Sequence, residues 1–196
     1  MKKTILLTGA TSGIGRAATI EFYKQGHEII IPARNKQKVD DLISAVNEKG
    51  DGKIKYYECN LASQKSLKEF VQNVKNDYSK IDVLVNNAGV WNKKIKITEE
   101  DIEETFAVNI YASYYLTQEF LPLIELGEDK RIIYTSSGLH GGKIHFDDIQ
   151  FRKKYSNFLV YQQSKLALIL LTKYFAQKLE EKKITVNCLH PGMVNT

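Results

Sequence analysis

A tyrosine and a lysine four residues apart form the pair in this sequence best suited to acid–base chemistry. Tyr161 and Lys165 fall in a helical pattern predicted over 156–181, and side chains at i and i+4 share one face of a helix. A phenol has a pKa of about 10 in water, and a fixed cation about 4 Å away favours the phenolate by roughly 4 kcal/mol before screening. Tyr161 could therefore serve as a general acid and base. A Tyr and a Lys at this spacing also arise by chance in a chain with 11 tyrosines. The surrounding elements therefore decide whether the pair has a chemical role.

Short apolar runs alternate with longer helical patterns along the whole chain. The predicted strands span 4–7, 28–33, 54–58, 83–86, 131–135 and 185–189, and the predicted helices span 14–25, 36–48, 63–78, 98–126 and 156–181. Thr98 is expected to cap the fourth helix, because acidic residues at 99–101 follow it. The run Ile29-Ile30-Ile31 is apolar throughout, which indicates a strand buried on both faces. The pattern predicts an α/β fold in which a doubly wound parallel sheet carries helices on both faces.

Length and composition predict one globular domain over 1–196, since 196 residues with 43% hydrophobic composition support one core and not two. The formal net charge is +5, but the basic residues are scattered in short runs, which argues against binding to nucleic acid or to an anionic membrane. Cys59 and Cys188 have no cysteine partner nearby, so we expect no disulfide framework and a reducing cytoplasm. The apolar run at 5–7 is too short for an export signal or a membrane anchor.

The first predicted strand leads directly into a glycine-rich turn that opens a helix. The candidate cofactor-binding residues in this turn are Gly9, Thr11, Ser12, Gly13, Ile14 and Gly15. Glycines let the backbone approach a pyrophosphate, and a helix N-terminus offers unpaired N–H groups, so this context predicts a dinucleotide site.

Arg34 follows the second predicted strand, where an acidic residue would bind the ribose of NAD. An arginine there can instead hold the 2′-phosphate of NADP through charge-assisted hydrogen bonds. We therefore expect NADP as the cofactor, with NAD less favoured. The alternative is an ordinary arginine that faces solvent.

Further motifs follow in an order that resembles the short-chain dehydrogenase/reductase family from end to end. They are Gly9, Gly13 and Gly15 in the turn, Asn86-Asn87-Ala88-Gly89, Asn109, Ser136-Ser137, Tyr161, Lys165 and the Pro-Gly sequence at 191–196. The resemblance implies a Rossmann fold with strand order 3-2-1-4-5-6 and hydride transfer between a nicotinamide cofactor and a carbonyl or alcohol. Ser137 and Tyr161 are 24 residues apart, a longer separation that looks like the retinol dehydrogenase-like branch, as does Ala33-Arg34-Asn35.

The resemblance also implies roles for individual residues. Ser137 would orient the substrate oxygen, and Tyr161 would exchange a proton with it. Lys165 would lower the tyrosine pKa and hold the nicotinamide ribose, and Asn109 would support a proton relay through water. The remaining cofactor contacts that the resemblance implies are Asn60, Leu61, Asn87, Ala88, Gly89, Pro191, Gly192, Val194 and Thr196. Asn60 stands where the family often has an aspartate, and the resemblance still implies a contact between this residue and the adenine.

Two other functions remain open for the same fold. A non-catalytic NADP-binding regulator or partner-binding protein would share it, and an epimerase or dehydratase of the extended relatives would share the Tyr-x-x-x-Lys pair. A metal site formed by His140, His145, Asp147 and Asp148 lacks helix-fixed spacing, so no metal is predicted.

The remaining expectations concern partners and the chain end. The substrate is expected to be a small, apolar carbonyl or alcohol. Aromatic residues of the fourth helix fit either the core or a homodimer interface. Relatives continue past the Pro-Gly motif, so we expect a C-terminally truncated form of a longer enzyme with its sixth strand at an open edge. The alternative is a naturally short member that closes this edge by self-association.

Overall fold

Six parallel strands form one sheet in the computed structural model, which describes residues 1–47, 49–192 and 194. The strands are β1 (Thr4–Leu7), β2 (Glu28–Ala33), β3 (Lys53–Glu58), β4 (Val83–Asn86), β5 (Arg131–Thr135) and β6 (Thr185–Leu189). They lie in the order β3-β2-β1-β4-β5-β6, and every neighbouring pair is parallel. The predicted strand order and doubly wound topology are confirmed.

Helices connect the strands. In the described part of the chain the α-helices are α1 (Gly13–Lys24), α2 (Lys36–Val46), α3 (Gln64–Asp77), α4 (Ala112–Glu125) and α5 (Asn157–Lys178). A π-helical turn, Phe106–Tyr111, runs directly into α4, and a 3-10 turn, Phe146–Asp148, lies between β5 and α5. Apart from the start of the fourth helix, every predicted bound lies within three residues of the observed one. Among the residues that the structure describes, no helix combines the length and apolarity needed to cross a membrane.

The sheet separates two hydrophobic clusters, because successive side chains of a strand point to opposite faces. Leu6 and Ile30 pack with apolar residues of α3, α4 and α5 on one face, whereas Ile29 and Ile31 pack with α1 and α2 on the other. The side chains of Ile29, Ile30 and Ile31 are all 0% exposed, as the uninterrupted apolar run predicted. Each such burial is worth about 1.5–3 kcal/mol. The sheet is therefore a firm platform for the loops at its carboxyl edge.

The predicted helix start at Thr98 is wrong. Thr98 closes a turn instead: its N–H donates to the Ile102 carbonyl (2.8 Å), and its Oγ1 accepts from the Ile102 N–H (3.2 Å). Glu103 caps the helical segment further along the chain, where its Oε2 accepts from the Phe106 N–H (2.8 Å). The segment before the π-helical turn is thus a compact turn and not a first helical turn.

Glu100, one of the acidic residues expected to stabilise the fourth helix, binds to a different helix. The Oε1 of Glu100 accepts from the Ser63 hydroxyl (3.0 Å) and from the Gln64 N–H (2.8 Å), both at the start of α3. Glu100 therefore compensates the N-terminus of a different helix. A pairing between distant parts of the chain has overridden the local capping pattern.

Candidate active site

A cavity of about 870 Å³ opens at the carboxyl ends of the strands. Loops that follow parallel strands meet at this edge of a sheet, where open α/β folds place their ligands. The predicted cofactor residues that line the cavity are Gly9, Thr11, Ser12, Gly13, Ile14, Gly15, Arg34, Asn60, Leu61, Asn87, Ala88, Gly89, Tyr161, Lys165, Pro191, Gly192 and Val194. Thr196, also predicted, lies outside the described residues. Ser137 shares the cavity, and Asn109 is buried behind it.

The glycine-rich turn brings two backbone segments unusually close together. Gly9 has φ of +69°, a left-handed conformation that strains other residues. A Cβ on Gly15 would lie 2.1 Å from the Gly9 carbonyl oxygen, so α1 can approach β1 only with glycine there. The turn therefore presents bare backbone to the cavity.

The N-terminus of α1 differs from those of three other helices. Asn35, Ser63 and Ser156 cap α2, α3 and α5 through their side chains. Ser12 stands at the N-cap of α1 and makes no such hydrogen bond, and the first turn of α1 contains no acidic residue. Because the first N–H groups of a helix need a partner, this end facing the cavity is suited to an anion.

Thr8 and Asn87 tie the glycine-rich turn to the segment after β4. The Thr8 Oγ1 accepts from the N–H groups of Asn87 (3.0 Å) and Ala88 (2.9 Å). The Asn87 amide donates in return to the Thr8 carbonyl (3.0 Å). These bonds fix two of the predicted cofactor-binding segments against each other.

Lys165 is a buried cation beside Tyr161. Its side chain is 4% exposed, and its Nζ donates to the Thr135 carbonyl (2.9 Å). The same Nζ lies 5.5 Å from the centre of the Tyr161 ring. Burial lowers the pKa of Lys165 to about 8, and no carboxylate of the described residues forms an ion pair with it. The fold thus holds an uncompensated positive charge within reach of the phenol.

Asn109 holds the Tyr161 turn of α5 and the segment after β4 together. It lies in the π-helical turn, a distortion often found at functional sites. Its Oδ1 accepts from the Val90 N–H (2.8 Å), and its Nδ2 donates to the Val90 carbonyl (3.1 Å) and to Ser164 Oγ (3.0 Å). Ser164 Oγ donates in turn to the Tyr161 carbonyl (2.7 Å). Asn109 is therefore an anchor for the residues on both sides of the cavity.

Ser137 lies just after β5, and its hydroxyl group accepts one hydrogen bond. Its Oγ accepts from the Leu139 N–H (3.1 Å). Within the described residues its hydroxyl proton has no acceptor. That proton is available to an oxygen atom of a ligand in the cavity.

Arg34 and Lys38 form a basic rim at the end of β2. Both side chains are exposed and line the cavity. Neither pairs with a carboxylate in the described structure, whereas neighbouring Lys36 pairs with Asp40 (2.8 Å). The rim therefore offers two cations to an anionic group.

The sequence interpretation missed two side chains that the structure brings to this cavity. The Trp91 ring stacks on Tyr161 with ring centres 4.5 Å apart and an interplanar angle of 10°. His190 lines the cavity and contacts the loop after Ser137. Each residue adjoins a motif, Trp91 after Asn86-Asn87-Ala88-Gly89 and His190 before Pro191, so position was the available signal.

The four residues weighed as metal ligands do not form a site. No group of three or more His, Cys, Asp or Glu side chains that could hold a metal ion occurs among the described residues. The backbone N–H of His145 donates to Gln163 Oε1 (2.7 Å), and this hydrogen bond joins the segment to α5.

Comparison with known proteins identifies the family. The short chain dehydrogenase family model matches residues 3–196. Retinol dehydrogenase 14 of Mus musculus is 35% identical over 99% of this chain. The chain spans 59 to 62% of the length of the mouse and human retinol dehydrogenases 13 and 14.

Two solved structures are similar in fold. An uncharacterised protein from Mycobacterium paratuberculosis has a TM-score of 0.86 at 29% identity, covering 99% of this chain and 69% of that one. A metagenomic short-chain oxidoreductase solved in complex with NADP has a TM-score of 0.78 at 25% identity, covering 97% of this chain and 82% of that one. The chain belongs to the short chain dehydrogenase family and, within it, to the retinol dehydrogenase-like branch.

Proposed function

We propose that this protein is an NADP-dependent oxidoreductase that transfers a hydride between nicotinamide and a carbonyl or alcohol, with Tyr161 as the general acid and base. The observation that carries the proposal is the buried Lys165, which has no carboxylate partner among the described residues and whose Nζ lies 5.5 Å from the Tyr161 ring centre. Burying a charge without a carboxylate partner costs stability. A fold that retains such a charge beside a phenol is well suited to stabilising the phenolate.

The residues around the cavity fit a dinucleotide cofactor. The uncapped N-terminus of α1 suits a pyrophosphate, and Gly9 and Gly15 leave the backbone accessible there. A Cβ on Gly89 would lie 3.3 Å from Lys165 Nζ, so glycine keeps the approach to that ammonium open. When bound, nicotinamide supplies or accepts the hydride.

The protein's own groups would manage the proton and the substrate oxygen. Carbonyl reduction places negative charge on that oxygen, so donors must point to where the charge develops. The free hydroxyl proton of Ser137 would orient the oxygen, and Tyr161 would give it a proton. Lys165 would hold the phenolate that remains, and alcohol oxidation would use the same groups in reverse.

The basic rim supports NADP over NAD. Arg34 and Lys38 lack ion-pair partners in the described structure, and a 2′-phosphate would provide one. The metagenomic relative in complex with NADP has the same fold. We assign the 2′-phosphate contact to Arg34 first, with Lys38 as a second cation.

The finer expectations about substrate, assembly and location form part of the proposal. Trp91, Val90 and Val108 give the cavity apolar walls, which suit an apolar carbonyl or alcohol. Tyr114 and Tyr174, on α4 and α5, are 38% and 49% exposed, which suits a homodimer interface. Cys59 and Cys188 are free, which suits the cytoplasm.

A panel of carbonyls and alcohols, followed by NADPH absorbance, tests the proposed function. We expect turnover of at least one apolar member, faster with NADP(H) than with NAD(H). NADPH binding without turnover of any member would instead favour a non-catalytic NADP-binding regulator. Absence of both binding and turnover would contradict the assignment of the cavity.

A further inference from the structure

The loop that carries Ser137 is held from the other side of the cavity by His190. The Gly138 N–H donates to His190 Nδ1 at 2.9 Å. Two residues earlier, the Ser136 N–H donates to the Leu189 carbonyl at 2.8 Å, which continues the pairing of β5 with β6. The His190 side chain thus extends the β5–β6 contact to the residue next to Ser137.

Gly138 is packed so closely against the imidazole that a side chain there would require the His190 ring to shift. A Cβ at this position would lie 2.8 Å from His190 Nε2 and 3.0 Å from its Cε1. Gly138 does not have a positive φ. Close packing with His190 is therefore a better reason for glycine here than backbone conformation.

We propose that His190 is a positioning residue for Ser137: its unprotonated Nδ1 fixes Gly138 and so sets the direction of the neighbouring hydroxyl. This inference rests on the proposed function, in which Ser137 orients the substrate oxygen. Ser136 Oγ ties the start of the loop to α5 by donating to the Lys165 carbonyl (2.9 Å). Ser137 Oγ itself bonds within the loop, where it accepts from the Leu139 N–H, so the contact of Gly138 with His190 holds the residue on its other side. A displacement of about 1 Å at such a group can cost a hundredfold in rate.

A second imidazole on the same loop has the opposite hydrogen-bonding role. His140 Nδ1 lies 2.7 Å from the Ser137 carbonyl, which can only accept, so this nitrogen carries a proton. His190 Nδ1 faces the donor Gly138 N–H, so it carries none. Protonation keeps the His140 contact and breaks the His190 contact.

His190→Asn and His190→Leu separate the hydrogen bond from packing. The Asn oxygen can accept from the Gly138 N–H, as His190 Nδ1 does. We expect His190→Leu to lower kcat about tenfold to a hundredfold. We expect His190→Asn to restore most of that loss. Equal kcat values in the two variants would overturn the proposal.

His27 provides the matched control. Its Nδ1 also accepts a backbone N–H, from Lys3 at 3.3 Å, but at the amino end of the sheet. His27→Leu should leave kcat unchanged. An equal fall in kcat in His27→Leu and His190→Leu would show a general effect of histidine removal and would overturn the specific role of His190.

A readout without turnover keeps this inference separate from the proposed function. Nitrogen NMR of labelled histidine distinguishes the two neutral tautomers, and we expect His190 to carry its proton on Nε2. The Gly138 amide should exchange with solvent faster in His190→Leu than in His190→Asn. An Nδ1–H tautomer, or equal exchange in both variants, would contradict the contact even if the enzyme turns over. The expected tautomer in a protein without turnover would keep the contact and refute the proposed function.

Discussion

The two ends of the sheet differ in whether their polar groups are paired within the described structure. At the amino end, Lys3 pairs with Asp129 (2.6 Å), and Tyr78 donates to Glu28 (2.8 Å). A concavity of about 560 Å³ also exists there, but its charged side chains and Tyr78 pair with one another or with their neighbours. At the carboxyl end, Lys165 has no carboxylate partner among the described residues. The helix that opens into that cavity also lacks a side-chain cap.

We propose that this difference separates a structural end from a functional end of one sheet. Paired groups at the amino end stabilise the fold. The unpaired ammonium and N–H groups at the carboxyl end cost stability unless a ligand compensates them. The comparison predicts that matched substitutions will change stability at one end and function at the other.

Replacement of a tyrosine hydroxyl should show the largest contrast. Tyr161→Phe should keep cofactor binding and lower kcat by about a hundredfold to ten-thousandfold, because only the proton-transferring group is removed. Tyr78→Phe removes a hydroxyl that donates to Glu28 at the amino end. It should cost about 1 kcal/mol in the free energy of unfolding and leave kcat unchanged. Near-normal turnover of Tyr161→Phe would refute its role as the general acid and base.

Replacement of Lys165 by an uncharged residue should abolish turnover and raise the free energy of unfolding. The pKa of Lys165 is lowered by burial to about 8 from 10.5, so the penalty on folding is full below pH 8 and is relieved as the pH rises to 10.5. Lys165→Met should raise the free energy of unfolding by up to about 3 kcal/mol at pH 7, with much less gain at pH 10. Turnover should be lost.

Urea unfolding of the cofactor-free protein at both pH values measures this effect. Lys3→Met is the control at the amino end, where Lys3 pairs with Asp129. It should lower stability slightly at pH 7. A stability gain in Lys165→Met that stays the same at pH 10 would contradict burial of a charged lysine as its cause.

Cofactor choice should depend on the basic rim. Arg34→Ala removes a charge-assisted hydrogen bond worth about 1.5–3 kcal/mol, so the preference for NADP(H) over NAD(H) should narrow roughly tenfold to a hundredfold. Arg131→Ala removes an arginine that pairs with Asp129 at the amino end and should leave the preference unchanged. Titration calorimetry with both cofactors measures the two affinities. Equal affinity of the unmodified protein for NADP(H) and NAD(H) would contradict the proposed cofactor preference.

The stacked aromatic pair should give the smallest effect. Trp91→Leu removes the stack on Tyr161, and aromatic pairs contribute about 0.5–1.5 kcal/mol, so kcat should fall roughly twofold to tenfold. Trp91→Phe should retain more of the rate because it keeps an aromatic ring. Trp91 is the single tryptophan of the chain, so NADPH should quench the protein's tryptophan emission. Unchanged emission at saturating NADPH would place the ligand elsewhere.

Local patterns predicted the sheet and the glycine-rich turn well. The run Ile29-Ile30-Ile31 predicted a doubly buried strand because burial on both faces demands an uninterrupted apolar sequence. The glycines at 9, 13 and 15 predicted a tight turn between a strand and a helix, which the structure has, and the approach of this turn to a pyrophosphate stays a prediction. Both signals lie within a few residues of the feature that they describe.

Contacts between distant parts of the chain could not be predicted in the same way. Glu100 caps a helix start 36 residues away, and nothing near Thr98 signals that pairing. Gly138 and His190 are 52 residues apart, and Trp91 meets Tyr161 only after the loops of β4 and α5 are assembled. The identities of the site residues follow from motifs, but the contacts that position them depend on tertiary packing.

Deuterium transfer tests the central claim most directly. NADPH labelled with deuterium at the transferred position of nicotinamide is incubated with the best carbonyl found, and the alcohol product is analysed by mass spectrometry. We predict one deuterium on the carbinol carbon with the unmodified protein and almost no product with Tyr161→Phe, although that variant still binds NADPH. Unlabelled alcohol, or equal labelled product from both proteins, would contradict hydride transfer assisted by Tyr161.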